Sequence, residues 1–145
     1  MDQDAVVNEQ AESGKRLIAA VEANGFEVRV AFWAKLTDEG NWYLYLASPF
    51  VEENGGRAAY GVVLEVLRKQ PDIWIDSFEI RVIGLKDTLA KAALEVVRPR
   101  GSDSQFAVKN PRPYPGLTRF GGASLGGVSI DGAFIYPPSV PVVPA

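Results

Sequence analysis

Apolar positions along this chain switch between the period of a helix and the period of a strand, and the switches divide it into successive elements. From about residue 5 to residue 24, Val7, Gln10, Leu17, Ile18 and Val21 recur mostly three or four apart. That spacing predicts a helix, with Gly25 placed to end it as a left-handed C-cap. Gly14 weakens its middle, so the pattern also fits a start near Ser13. Phe26, Val28, Val30, Phe32 and Leu36 then alternate with Glu27, Arg29, Trp33 and Lys35, the period of a strand.

The stretch "VRVAFWAKLTDEGNWYLYLASP" reads as a hairpin. A type I turn over Asp38 and Glu39, with Gly40 left-handed after it, predicts a short loop with a bulge. This turn pairs Phe32 with Leu46, Ala34 with Leu44 and Leu36 with Trp42 on an apolar core face. The opposite face then carries Trp33 beside Tyr45, Lys35 beside Tyr43 and Ala31 beside Ala47.

Pro49 ends the second strand. A helix follows from about residue 55 to 70, with Asn54 as its N-cap, Ala59, Val62, Val63, Val66 and Leu67 as its buried stripe, and Pro71 as its stop. "IDSFEIRVIGL" predicts a strand with Phe78, Ile80 and Val82 on one face. Asp87 caps a short helix whose Leu89, Ala92, Ala93 and Val96 face inward, closed by Pro99. Residues 99–116 form a long connection rich in Pro, Ser and Gly. "TRFGGASL" and "VSIDGAFIY" predict two strands turning at Gly126-Gly127, with Asp131-Gly132 as a bulge in the second. The order α-β-β-α-β-α-β-β implies an α+β fold: one mixed or antiparallel sheet of about five strands with three helices. Residues 1–136 form the domain and residues 137–145 a Pro-rich tail.

Composition narrows the chemistry. The chain has 145 residues, enough for one domain with its own core. Its 15 basic and 18 acidic residues leave a net charge of −3, which argues against a duplex nucleic-acid partner. No apolar run is long enough to span a bilayer, and "MDQDAVVNEQ" lacks the pattern of a secretory signal, so a cytoplasmic protein without a membrane partner is expected. Histidine and cysteine are absent. Histidine- or cysteine-based nucleophile systems and thiolate or imidazole zinc sites are therefore ruled out, and no cofactor is indicated.

"GFEVRVAFWAKLTDEGNWYLYLASPFVEENGGRAAYGVV", together with "EIRVIGLKD" and "GGVSIDGAFIY", resembles a family of small bacterial proteins with no established function. The likeness covers most of residues 13–136 and lies in hydrophobic and turn patterning. It implies a bacterial cytosolic origin and carries no functional role onto any residue.

Three motifs invite a chemical reading. "PDIWIDSFEIR" is similar to a metal-dependent nuclease arrangement, with Asp72 and Glu79 as ligands and Arg81 in place of the usual lysine. Arginine cannot give up a proton at working pH, and the alternation equally describes the wet side of a strand. Asp38, Glu39, Glu52 and Glu53 could gather around a hard cation, although turns and helix starts favour acids anyway. "GGASLGG" lacks the lysine and hydroxyl residue of a phosphate loop and fits a glycine hairpin turn. The tail also holds the overlapping P-x-x-P spacings Pro138–Pro141 and Pro141–Pro144.

The aromatic second face of the hairpin has three accounts: cover by the protein's own helices, a protein partner or second copy, or single-stranded nucleic acid or a flat ligand stacked on the rings. The sequence favours a non-catalytic interaction or accessory module over an enzyme. Trp33 and Tyr45 would be its anchors, Tyr43 would add a ring, and Arg29 and Lys35 would set orientation.

Overall fold

The computed structural model describes residues 8–73, 75–97, 118–120 and 124–136. The 99–116 connection, the Pro-rich tail, Val7 and residues 121–123 lie outside them. Helix α1 (Asn8–Ala23) is followed by strands β1 (Val30–Leu36) and β2 (Trp42–Ala47), then helices α2 (Pro49–Asn54) and α3 (Gly56–Arg68). A 3₁₀ turn at Ser77–Glu79 leads into β3 (Ile80–Ile83), and α4 (Thr88–Val97), β4 (Thr118–Phe120), β5 (Ser124–Leu125) and β6 (Val128–Ile135) complete the order. The fold is α+β with one mixed sheet in the order β3-β2-β1-β6-β4, and β5 pairs separately with β6. No helix among the described residues is long and apolar enough to cross a membrane.

Several ends follow from local chemistry. Gly25 has φ 88°, and the Phe26 and Gly25 N–H groups bond to the Val21 and Glu22 carbonyls at 3.0 Å each. This is the paired closure that a left-handed C-cap makes. The Asp87 carboxylate accepts the Leu89 N–H at 2.9 Å and caps α4. Gly126 and Gly127 both have positive φ, as a tight two-residue hairpin turn requires. Between Lys35 and Leu36 the β1–β6 register jumps from Gly132 to Ile130, so Asp131 is the bulged residue.

The sequence expectations fail in three places. After β2 the chain turns at once into α2, because Ser48 accepts the Phe50 N–H at 3.1 Å and Pro49 suits the first helical turn. Asn54 therefore closes α2, and Gly55 (φ 96°) breaks the chain between α2 and α3. Among the described residues there are four helices, the three expected and this additional short one. Phe78 does not face inward with Ile80 and Val82: Asp76 accepts the Phe78 N–H at 3.0 Å, winds the 3₁₀ turn and delays β3 to Ile80.

The third correction is the hairpin register. The Glu39 and Gly40 N–H groups both reach the Leu36 carbonyl, at 3.0 and 2.9 Å. The turn thus starts one residue earlier than expected, and the loop Thr37–Gly40 is one residue longer. Phe32 lies opposite Tyr45 and Trp33 opposite Leu44, not opposite Leu46 and Tyr45. A slip of one residue exchanges the faces of β2 relative to β1.

Both faces of the sheet are consequently covered by the protein itself. Ala31, Trp33, Leu44, Leu46, Ile80 and Phe134 pack against Leu17 and Val21 of α1 and Ala59 and Val63 of α3. Phe32, Ala34, Tyr45, Ala47, Ala133 and Ile135 share the opposite core with Leu89, Ala90 and Ala93 of α4. Phe32 and Tyr45 stack across the strands with centroids 5.0 Å apart. On the α1 side, the Trp33 indole N–H donates to the Tyr136 hydroxyl at 3.0 Å. That hydroxyl donates in turn to the Ala11 carbonyl of α1 at 2.8 Å.

Gly14 lies directly over this chain of bonds. A Cβ there would overlap the Tyr136 hydroxyl and come within 3.2 Å of the Trp33 indole nitrogen. Gly14→Ala is therefore expected to lower stability by about 1 kcal/mol, the difference between an overpacking cost of about 1–3 kcal/mol and a helix-propensity gain of about 1 kcal/mol. Gly61→Ala, on the exposed side of α3 with nothing within 4 Å of the new Cβ, is expected to raise stability by about 0.5–1 kcal/mol. Urea unfolding checks the pair. A Gly14→Ala protein as stable as the wild type would remove the helix–sheet contact as the reason for this glycine.

Candidate functional site

The five residues expected to form one aromatic surface are divided by the corrected register. Trp33 lies in the core under α1, with no exposed surface. It cannot anchor a partner without unpacking the helix. Tyr45 is on the opposite face and is 2% exposed. Lys35 is half-buried opposite Trp42, while exposed Arg29 pairs with Glu27 at 2.6 Å. Only Tyr43, half-buried beside Tyr45 on β2, remains at a surface with other interaction-prone groups.

Those groups come from β3. Its parallel pairing with β2 sets Arg81 next to Tyr45. The Arg81 guanidinium lies over the Tyr43 ring, 3.9 Å from its centroid, and 6.0 Å from that of Tyr45. Glu39, from the hairpin tip, holds the same guanidinium in an ion pair at 3.2 Å. Burial pushes the Tyr45 phenol above its ordinary pKa of 10.0, and the charge of Arg81 partly opposes the shift. The Tyr45 hydroxyl is buried without a hydrogen bond of good geometry among the described residues, and the nearby Arg81 guanidinium partly offsets that burial by its charge and its side-chain approach.

Beside this stack, β3 forms one edge of the sheet, and no described strand pairs with its outer side. Just before it stands Phe78, 82% exposed and the one large apolar side chain so exposed among the described residues. Tyr60 of α3 donates to the Ser77 carbonyl at 2.8 Å and fixes the turn that presents Phe78. Next to Phe78, burial raises the Glu79 pKa, and the charge of Asp76 adds to the rise. Phe78 and Glu79 thus stand just before β3, at the end of the sheet where the hairpin tip brings Glu39 onto Arg81 and Tyr43.

The candidate metal and nuclease residues do not assemble. Asp72 pairs with Arg16 of α1 at 3.7 Å, while Glu79 neighbours Asp76 and Arg81 is engaged by Glu39. Asp38 and Glu39 sit at the start of β2, whereas Glu52 and Glu53 lie beyond its far end. No group of three or more carboxylates among the described residues could hold a metal ion.

Glu52 has a different task. Its carboxylate accepts the Leu85 and Lys86 N–H groups at 3.2 and 3.0 Å. Gly84 leaves room for it: a Cβ there would stand 2.5 Å from a Glu52 oxygen. The carboxylate thereby ties α2 to the loop between β3 and α4. No protein-family model, curated protein or solved structure matches the chain.

The Lys86 and Leu85 N–H groups hold the Glu52 carboxyl below its ordinary pKa of 4.5. A pKa depressed in the folded state contributes stability that is present above the unfolded value and is lost as pH falls through the folded one. Glu52→Gln is therefore expected to be less stable than the wild type at neutral pH, with the difference shrinking below pH 4.5. Urea midpoints for both proteins across that range are the measurement. A gap unchanged by pH would mean that the loop does not hold the charged carboxylate.

Proposed function

We propose that the protein is a non-catalytic interaction module whose contact surface is the corner formed by Phe78, Tyr43 and Arg81 at the open edge of β3. The observation that carries this reading is Phe78, 82% exposed beside a strand edge with which no described strand pairs. Burying a large aromatic side chain is worth about 1.5–3 kcal/mol, a gain that the protein alone leaves unrealised. Tyrosine and arginine are the residue types that most often dominate interface energetics. Here they come preorganised, because the Tyr43 stack and the Glu39 ion pair hold the guanidinium in place before any partner arrives. The surface differs from the one the sequence suggested, while the class of function is the same.

A benzoyl-phenylalanine photo-crosslinker at position 78, with the same group at exposed Lys91 on α4 as control, tests the reading in the producing cell. The expected outcome is one discrete protein adduct from position 78 and none from position 91. Adding Arg81→Gln should weaken it by about tenfold, the scale of losing one hot-spot side chain. Equal labelling at both positions, or none at either, would defeat the proposal. An adduct removed by nuclease and not by protease would transfer the corner to single-stranded nucleic acid.

A further inference from the structure

We infer that this corner receives an extended, basic segment of a partner protein, laid along the open edge of β3; the inference rests on the interaction reading above. Strand geometry supports the extended form. The Ile83 carbonyl accepts the Ser48 N–H at 3.0 Å, so the main chain of Ile83, and by alternation that of Arg81, turns toward β2. The Val82 N–H and carbonyl therefore face the open side. An added strand would take its main-chain bonds there, and its alternate side chains would meet Phe78 and the neighbouring charges.

Charge selects the partner. Glu39 reaches over from the hairpin tip to Arg81, and Asp76 and Glu79 stand on the 3₁₀ turn just before β3. Glu39, Asp76 and Glu79 against Arg81, three acids against one base, leave these groups at a formal −2. Arg81 is already paired with Glu39, and Asp76 is used as the cap of the turn. Glu79 is half-buried with no ion pair among the described residues. A lysine or arginine brought in by a partner would supply that missing countercharge. A second copy of this chain would instead set two negative corners against each other, and phosphate backbones would be repelled.

Fluorescence anisotropy with two labelled peptides tests this, one alternating lysine with valine and the other glutamate with valine. The Lys-Val peptide is expected to bind about tenfold or more tightly than the Glu-Val peptide, and to weaken as salt rises from about 50 to about 300 mM. Phe78→Ser and Glu79→Lys should each reduce its affinity about fivefold or more, whereas Glu65→Lys, the same charge change out on α3, should not. Melting curves establish that all three variants stay folded. Binding that ignores Phe78→Ser and Glu79→Lys overturns the inference. If the Glu-Val peptide binds as well in a Phe78-dependent way, the surface stands and the basic partner falls. The same division holds if neither peptide binds while the crosslink at position 78 persists. Self-association abolished by Phe78→Ser would also overturn it, by giving the edge to a second copy.

Discussion

The architecture depends on one buried chain of hydrogen bonds, from the Trp33 indole through the Tyr136 hydroxyl to the Ala11 carbonyl. Its groups lie on three elements far apart in sequence: the middle of β1, the residue after β6, and the first half of α1. In a low-dielectric interior such a chain is strong when complete and costly when broken, so it fixes where α1 crosses the sheet. The crossing is close enough that residue 14 has no space for a side chain. A glycine that weakens the helix in isolation is what lets the helix dock. With α1 held there and α4 on the other side, the central strands are covered on both faces, and exposed apolar surface is left to the edges.

That double cover also explains why the hairpin register could not be read from its pattern. Register is well specified when one face is apolar and the other polar, because a slip then exposes the core. Here both faces are buried, and a slip of one residue exchanges one apolar set for another. The decision falls to the loop, where the Leu36 carbonyl accepts two successive N–H groups and adds a residue. Features set by local chemistry were legible: the Gly25 and Asp87 caps, the Gly126-Gly127 turn and the bulge at Asp131. Ser48 and Pro49 also carried a helix-start signal, but proline after a strand read more readily as a stop.

The candidate site was less legible, for two physical reasons. Alternation across "SFEIRV" put Phe78 on one strand face with Ile80 and Val82, although an aspartate two residues ahead is a known competitor of strand backbone. Asp76 plays that part and turns Phe78 outward. The second reason is distance along the chain. Glu39 and Arg81 are joined only because β3 returns parallel to β2 after α2 and α3, which brings the end of the crossover back beside the hairpin tip. The alternating sequence placed Arg81 on a strand, but nothing in it showed which aromatic rings the guanidinium would meet.

An open strand edge with an exposed phenylalanine beside it is a hazard as well as an opportunity, since unpaired main-chain groups template association with other chains. On the proposed reading, the features that limit the hazard here would also give the edge its selectivity. β3 is only four residues long, and its first N–H is already taken by the Ser77 carbonyl, so little ladder is offered. The acids around it repel a like-charged copy at long range, while a basic strand meets no such barrier. Short length limits how strongly the edge can pair with any chain, and on the proposed reading charge would decide which chain gains enough to stay. On the proposed reading, the charges that would keep a second copy off this edge are the same ones that would recognise a basic partner.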